Sequence, residues 1–478
     1  MRAQWLRECN SAVSGTLPGT GRSRMVSFPT VYQRVVVHWR AIVLLLILGF
    51  VAFIVAPFDE FVPFMLILFA LLLLFIASQI FWIGRILDLG ERFIPGKPRR
   101  VLLAIIAGMV YLFVFAYNFP SIESTNTHVF RAADYRLHSV VLEAAYWWWF
   151  VGSLLAFLLV IAFGAAGRAA RAAGWVYRKV RTAIHERSAT ADTETALLSP
   201  GRRRLLEQTA VLVSATPFVA AGYGLLYERQ DVEIVRQRVR LARLPKAFEG
   251  LRIAQLSDIH IGPFTTADYI RHCVAITNGL EQDLIALTGD YISWDREAQG
   301  DVVGVLAGLR APHGVFGCLG NHEAEGAIEE SITRLFAAQG IHMLRQERAP
   351  IRLGGETLNL IGIDHGGDHD RRLQELKALV MPNTVNILLT HYPHFFDHHS
   401  ELGIDLTLAG DIHGGGQISL DFVHRGLNLG SLMGVPYIRG LYEKGGAQVY
   451  MNRGIGITGF PIRLGARPEI TVFELFRT

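Results

Sequence analysis

Residues 251–261 read LRIAQLSDIHI, a short apolar run that ends in a polar turn carrying an aspartate and a histidine. The same arrangement recurs further along the chain, where short apolar runs are followed at once by turns rich in glycine, aspartate, asparagine or histidine. The recurrences are 284–290 (LIALTGD), 315–323 (VFGCLGNHE), 385–391 (VNILLTH) and 406–413 (LTLAGDIH). Short apolar runs bounded by turn residues are typical of buried strands. The pattern predicts an α/β domain from residue 228 onward, with strands at 232–241, 251–256, 284–287, 315–319, 358–363, 385–389 and 406–408.

The polar turns of this predicted domain are expected to lie together, because ligand sites in open α/β sheets gather beyond the carboxyl ends of strands. They carry seven candidate metal ligands: Asp258, His260, Asp290, Asn321, His391, Asp411 and His413. Carboxylate, imidazole and amide oxygen donors suit Mn, Fe, Zn or Mg, and no thiolate is present among them to favour a structural zinc. Two divalent ions that share one carboxylate need about this number of ligands. The turns therefore predict a two-metal site.

The ordered blocks of these turns resemble those of the calcineurin-like metallophosphoesterases, which read D-x-H, G-D, G-N-H-E/D, H and G-H-x-H. The resemblance runs from residue 251 to the C-terminus and includes 452–456 (NRGIG), 461–463 (PIR) and 467–470 (RPEI). It is closest to the membrane-anchored bacterial branch of the superfamily. The fold that it implies for the C-terminal domain is an αββα sandwich.

The resemblance also implies a role for each matching residue. Asp258, His260 and His413 would hold the first metal, Asn321, His391 and Asp411 the second, and Asp290 would bridge both. His322 would lie just off the metals and face the substrate, where it either stabilises charge or protonates the leaving oxygen. A histidine suits proton donation near neutral pH because its ordinary pKa is about 6.5.

Two departures from the family pattern concern the last block. Asp411 stands where the family usually has histidine, which adds a negative charge and favours Mn or Mg over Zn. The glycines at 414–416 are one more than the usual pair. We expect two divalent ions, with Mn favoured. Asp364 and His365, in a polar turn after a predicted strand, are further candidates for substrate contact, and Glu323 is expected to orient its neighbours.

The composition of the whole chain and the long apolar runs in its first half indicate a membrane domain. Of all 478 residues, 51% are hydrophobic and 18% charged, and the mean hydropathy is +0.30, which excludes intrinsic disorder and indicates contact with lipid. Long uncharged apolar runs at 41–58, 61–83, 101–119 and 144–167 predict transmembrane helices, and 205–227 is a less apolar fifth candidate. We predict an N-terminal all-α transmembrane domain of four to five helices.

The domain organisation follows from these runs. It comprises a cytoplasmic tail (1–40), a four-helix transmembrane domain (41–167), a basic cytoplasmic linker (168–204), a fifth transmembrane helix (205–227) and the catalytic domain (228–478). Lys and Arg are concentrated in alternate loops, so the positive-inside rule places the catalytic domain outside the cytoplasm of a bacterial plasma membrane. If 205–227 does not cross, the domain is cytoplasmic. The net charge of only +4 does not specifically indicate a nucleic-acid partner, and the three scattered cysteines form neither a disulfide framework nor a zinc-ligand spacing.

The reaction implied is hydrolysis of a phosphodiester, phosphomonoester or pyrophosphate by a metal-bridging hydroxide. Lipid-linked substrates are candidates, because a domain held at a bilayer has a high effective concentration toward them. Two alternatives stay open. One is a catalytically degenerate metal-binding or sensing domain on a membrane anchor, supported by Asp411 and the added glycine. The other is a transporter with an accessory phosphoesterase, which the scarcity of polar residues in the apolar runs disfavours.

Overall fold

The computed structural model describes residues 73–86, 109, 137–184, 200–366, 369–393, 396–420, 427–432 and 434–477. The chain divides into two units, residues 1–77 and 78–478. Apart from the first residues of one helix, every element below belongs to the second unit. The predicted membrane runs 41–58 and 101–119 lie outside the described residues, Met109 excepted, and stay predictions.

Three helices precede the C-terminal domain in the described residues: the short apolar helix α1 (Leu73–Ile86) and the longer helices α2 (Leu137–Ile184) and α3 (Pro200–Leu226). Helix α2 has 48 residues, which corresponds to about 72 Å, well beyond the bilayer core of about 30 Å. Within the described residues, Val140–Val180 of α2 is the one segment long and apolar enough to span a membrane. Helix α3 forms over the fifth predicted run but does not reach the same apolarity. Four to five membrane helices therefore stay a prediction.

Helices α2 and α3 pack closely against each other. Trp148 Nε1 donates to the main-chain carbonyl of Phe218 at 2.8 Å. A Cβ atom at Gly152 would lie 2.6 Å from the Phe218 ring, so the glycine permits this close approach. Helix α2 also continues well beyond residue 167, so the first part of the predicted linker is helical.

Short 3₁₀ turns aside, the described elements of the C-terminal domain are, in chain order, β1 (Glu233–Leu241), β2 (Arg252–Leu256), α4 (Ala267–Asn278), β3 (Leu284–Thr288), α5 (Gln299–Leu306), β4 (Val315–Cys318), α6 (Asn321–Glu325), α7 (Glu329–Ala338), β5 (Ile341–Met343), β6 (Glu347–Leu353), β7 (Glu356–Ile363), α8 (His369–Leu379), β8 (Val385–Thr390), α9 (Phe396–Leu402), β9 (Leu406–Ala409), α10 (His413–Gly416), β10 (Ser419–Leu420), β11 (Leu427–Asn428), α11 (Leu429–Leu432), β12 (Gly440–Lys444), β13 (Ala447–Met451) and β14 (Glu469–Arg477). All seven predicted strands are present, with ends that differ by at most two residues.

Two mixed six-stranded sheets form the centre of this domain, in the orders β1-β14-β2-β3-β4-β5 and β12-β13-β9-β8-β7-β6. Because successive residues of a strand point to opposite faces, one strand can serve two cores. In β3, Leu284 and Ala286 face the core between the sheets, whereas Ile285 and Leu287 face the core beneath α4, α5 and α7. Helix α8 covers the outer face of the second sheet. The expected α/β sandwich is therefore present.

The carboxyl ends of the central strands meet at one edge of this sandwich. Strands β2, β3 and β4 are parallel to one another, as are β7, β8 and β9. Hydrogen bonds join the two sheets at this edge. Gln255 Nε2 donates to the carbonyl of Ala409 at 3.1 Å, and His391 Nδ1 bonds the carbonyl of Thr288 at 2.7 Å. All the polar turns that follow these strands are consequently brought together.

Phe336 and its neighbour Leu335 provide a matched test of the core. Phe336 is fully buried against Tyr291, with ring centroids 4.8 Å apart, whereas Leu335 is 37% exposed. We expect Phe336→Ala to lower the free energy of unfolding of the C-terminal domain by about 3–5 kcal/mol, because it leaves a cavity. We expect Leu335→Ala to change it by less than about 1 kcal/mol. Chemical denaturation followed by circular dichroism measures both, and equal losses would contradict the assigned packing.

Candidate active site

The turns beyond the strands hold several site residues in an unusual backbone conformation. Asp258, His260, Asp290, Asp411 and His413 have φ of 50°, 44°, 56°, 72° and 48°. This left-handed region costs a residue with a side chain about 1–3 kcal/mol, and such strain is concentrated at functional sites. The sheets on either side stabilise the turns strongly enough to maintain it.

Two glycines, Gly289 and Gly320, allow the turns to approach each other. Gly289 has φ of 87°, and a Cβ atom there would lie 2.8 Å from His391 Nδ1 and 2.7 Å from the amide nitrogen of Gly320. A Cβ atom at Gly320 would overlap the Asp290 carboxylate. Neither position therefore has room for a side chain.

The carboxylate of Asp290 lies at the centre of the site. Its Oδ2 atom is 3.1 Å from His391 Nε2, 3.4 Å from His260 Nε2 and 3.8 Å from His322 Nε2. Its Oδ1 atom accepts a hydrogen bond from the backbone amide of His322 at 3.1 Å. An oxygen surrounded by three imidazole nitrogens matches the bridging position that the family resemblance assigns to Asp290.

Further candidate ligands flank Asp290 on both sides. Asp258 Oδ1 is 3.3 Å from His413 Nε2, and the Nε2 atoms of His413 and His260 are 3.1 Å apart. Asp411 Oδ1 is 3.3 Å from His391 Nε2, and the Asp411 amide donates to both carboxylate oxygens of Asp258. Three groups of side chains could each hold a metal ion, because the ligand atoms within each group lie within 4.8 Å of one another. The groups are Asp258, His260 and His413; His260, Asp290 and His322; and Asp258, Asp290 and His391.

The orientation of His260, His391 and His322 fits a role at the metal site. The Nδ1 atoms of His260 and His391 lie 3.1 and 2.7 Å from the carbonyls of Ile292 and Thr288, and Nδ1 of His322 contacts the carbonyl of Ser293. A carbonyl can only accept, so each Nδ1 donates and each ring turns its Nε2 atom toward the site. Main-chain carbonyls commonly orient metal-binding histidines in this way.

Two buried side-chain atoms in the site have no hydrogen-bond partner. They are Oδ1 of Asn321 and Nε2 of His391. The nearest polar atoms to His391 Nε2 are carboxylate oxygens, which are acceptors themselves. A buried carbonyl oxygen without a donor is costly unless a cation satisfies it, and Nε2 of His391 among carboxylates requires a positive charge, either its own proton or a metal ion. Together with the donor types, they show that the site fits divalent metal ions.

The electrostatics of the site likewise favour positive charge. Burial raises the pKa of Asp258 to about 7, and the neighbouring Asp290 adds to the increase. Burial alone would lower the pKa of His391, but the carboxylates of Asp290, Asp411 and Asp258 outweigh it and raise that pKa well above its usual value. Burial lowers the pKa of His260 to about 3, so that ring stays neutral. The carboxylates thus attract a cation to the space beside His391.

Glu323 supports the site from behind, as its position in the G-N-H-E block led us to expect. Its buried carboxylate accepts hydrogen bonds from the backbone amides of Asp290 at 3.0 Å, Tyr291 at 2.8 Å and Gly320 at 2.9 Å. The Glu323 side chain thus fixes both the turn after β3 and the turn after β4.

Asp364 and His365 lie at a cavity of about 410 Å³ next to Gly320. The Asp364 carboxylate accepts from the Leu319 amide at 3.2 Å and from Arg345 Nε at 2.8 Å, so it supports the cavity wall. The ring centroid of His365 lies 6.3 Å from that of His391, one of the candidate ligands.

Two residues near the site were not predicted from the sequence. Trp294 is 51% exposed, and its ring centroid lies 4.4 Å from that of His322. Arg463 is fully buried, and its Nη2 lies 3.2 Å from Nδ1 of His413. The only sequence signal for Arg463 was its place in the P-I-R block, and Trp294 lies in a turn that carries no motif.

Comparisons with known proteins agree with this geometry. Residues 251–415 match the family model of the calcineurin-like phosphoesterases. The chain is 30% identical over 287 residues to the metallophosphoesterase YkuE of Bacillus subtilis, an alignment that covers 58% of this chain and 98% of that protein. The chain belongs to the calcineurin-like phosphoesterase family. It is therefore a metal-dependent phosphoric ester hydrolase.

Other members of the calcineurin-like phosphoesterase family extend the comparison. Phosphodiesterase YaeI of Escherichia coli is 30% identical over 284 residues, covering 57% of this chain and 98% of that protein. A transmembrane protein with metallophosphoesterase domain from Danio rerio is 27% identical over 301 residues, covering 59% of this chain and 65% of that protein. One of these relatives is therefore named as a transmembrane protein, and another is named as a phosphodiesterase.

Alanine substitutions at Gly320 and Gly300 test the close approach of the turns after β3 and β4. We expect Gly320→Ala to displace the Asp290 carboxylate and to lower the metal content of the purified protein well below that of the unsubstituted protein. Gly300→Ala is the control, because a Cβ atom there would meet no atom within 4 Å. Metal content is measured by mass spectrometry after desalting, and circular dichroism checks that both variants fold. A Gly320→Ala protein with unchanged metal content would contradict the tight packing.

Proposed function

We propose that this protein is a membrane-anchored, two-metal phosphohydrolase. The observation that carries the proposal is the Asp290 carboxylate, which is surrounded by three imidazole Nε2 atoms and flanked by the carboxylates of Asp258 and Asp411. In this proposal the first ion is held by Asp258, His260 and His413, the second by Asn321, His391 and Asp411, and Asp290 contacts both. When bound, two divalent ions polarise phosphoryl oxygens and lower the pKa of water.

His322, in its imidazolium form, is the proposed donor of the Nε2 proton to the leaving oxygen. Its backbone amide and its Nδ1 atom are both engaged, with Asp290 and the carbonyl of Ser293. These two bonds fix the ring so that Nε2 faces the site. Trp294 covers one side of the ring, so we propose that the leaving group of the substrate lies against the exposed part of Trp294, next to Nε2 of His322.

The donor set supports manganese as the preferred metal. Asp411 lies close enough to His391 to share an ion with it, and its side chain is 27% exposed. A carboxylate at this position makes the second site harder and more negative than the usual histidine would. The presence of the complete donor set also weighs against a degenerate binding domain.

Helix α2 and the relatives named as transmembrane proteins support anchoring to a membrane. We extend this to a multi-pass protein of a bacterial plasma membrane with an extracytoplasmic catalytic domain. Phosphodiesters, phosphomonoesters and pyrophosphates are candidate substrates, and lipid-linked ones would benefit from the anchor. One relative is named a phosphodiesterase, which favours testing phosphodiesters first.

Asp290→Asn and His391→Ala test the metal centre. We expect each to lower kcat/KM for a chromogenic phosphodiester by about 10³-fold or more, because each removes a central ligand. His272→Ala is the control, since this exposed histidine lies on α4 away from the ligand turns. Unchanged turnover in either ligand variant, with metal supplied and folding verified, would rule out the proposal.

Trp294→Ala tests the leaving-group side of the site. We expect KM for an aryl phosphodiester to rise about 2- to 10-fold, the scale of one lost aromatic contact, while KM for an alkyl ester changes little. Trp294→Phe should retain most of the aryl preference. Equal effects on aryl and alkyl substrates would show that Trp294 does not contact the leaving group.

Protease accessibility tests the proposed topology. We expect protease added outside intact spheroplasts to digest the C-terminal domain, because α3 would deliver it to that side. Digestion only after the membrane is permeabilised would place the domain in the cytoplasm. A soluble cytoplasmic marker protein, which must survive in intact spheroplasts, is the control.

A further inference from the structure

Arg463 joins the candidate metal ligand His413 to the surrounding main chain. The guanidinium has no exposed surface, and its Nη2 atom lies 3.2 Å from Nδ1 of the His413 ring. It also donates to carbonyl oxygens of Arg453, Gly454, Gly456 and Ala466. A buried cation with this many partners cannot shift without breaking several bonds at once. A guanidinium can only donate, so Nδ1 of His413 is the acceptor in this contact, and Arg463 restrains the orientation of the His413 ring.

The main chain around Arg463 is in turn held by the end of helix α3 and by the turn that follows it. The amide of Arg463 donates a long hydrogen bond to the carbonyl of Gly224 at 3.4 Å, and the amide of Gly465 donates to Glu228 Oε1 at 2.6 Å. A Cβ atom at Gly224 would overlap the carbonyl oxygen of Arg463 and lie 2.9 Å from Ile462 Cγ2. The absence of a side chain at Gly224 is what allows this contact between helix and loop.

Apolar packing reinforces the same contact. Ile462 is fully buried in a cluster with Val151 of α2 and with Ala221 and Leu225 of α3. The ring of Phe460 lies 5.7 Å from that of Trp147 on α2. Both helices therefore contact the 460–465 loop that carries Arg463.

We propose that α3, supported by α2, positions the first metal site as well as anchoring the protein. Displacement of α3 against the 460–465 loop would move Arg463, and with it His413, so that the first metal is held less tightly. This inference rests on the proposed role of His413 as a ligand. Arg463 is a positioning residue, and Gly224 is the point at which the helix acts on it.

Gly224→Ala in the full-length protein tests the helix contact. We expect the affinity for one of two Mn²⁺ ions to fall about 10- to 100-fold, the scale of losses when the supports of metal ligands are altered, while the other affinity is unchanged. Gly222→Ala is the matched control on the same helix, since its Cβ atom would approach no atom closer than 3.4 Å. Calorimetric Mn²⁺ titration in detergent micelles measures both affinities, and circular dichroism checks folding.

Arg463→Lys tests the side-chain contact independently. Lysine keeps the positive charge but lacks the planar fork of donors, so a positional role predicts the same selective loss at one ion. If both variants fold and keep both Mn²⁺ affinities, the inference is wrong. If the unsubstituted protein does not bind two ions, the two-metal function proposed above is wrong instead.

Hydrogen exchange tests the same contact in the unsubstituted protein, so the result does not depend on whether a variant folds. Coupling between two sites is reciprocal, so Mn²⁺ binding should strengthen the contact with α3. We expect Mn²⁺ to slow exchange at the amides of Arg463 and Gly465, and to leave exchange in α7 unchanged as the control. If the protein binds Mn²⁺ while exchange at these two amides stays the same, α3 does not position the site.

Discussion

The structure depends on holding several carboxylates together in a space that water hardly reaches. Asp258 and Asp290 are buried, and Asp411 approaches them from the rim. Two like charges about 4 Å apart repel by about 4 kcal/mol at an effective dielectric constant of 20. The surrounding histidines relieve part of this repulsion, and divalent cations would reverse its sign. The same electrostatic cost that opposes folding of the metal-free chain is therefore the source of affinity for metal.

The backbone of the fold holds these carboxylates in place in spite of this cost. The parallel strands bring their carboxyl ends to one edge, and the left-handed turns point the carboxylates inward. Gly289 and Gly320 let two of these turns touch, and Glu323 fixes both through their amide groups. Since a side chain fits at neither glycine, the spacing of the ligands is set before any ion binds, which is the preorganisation that a catalytic site needs.

The sequence predicts the strands and the converging turns well, because both signals are local. Apolar runs such as 284–287 mark buried strands, and Asp290 follows directly from the end of its run. The position of β14 between β1 and β2 has no such signal, since this pairing joins residues more than two hundred positions apart. Trp294 and Arg463 escape prediction for the same reason, because their contacts with His322 and His413 arise only when distant turns are packed together.

The order of the strands also explains why the helices before the C-terminal domain reach the site. Strand β13 belongs to the second sheet and β14 to the first, so residues 452–468 must cross from one sheet to the other. Strand β13 is parallel to β9 and β14 is antiparallel to β2, so this crossing lies at the edge that carries the ligand turns. Strand β1 begins soon after α3 ends and pairs with β14, with Arg453 joining Glu233 to Glu469. Helix α3 and the crossing segment are thereby brought to the same edge, and the contact between Gly224 and Arg463 is a consequence of the topology.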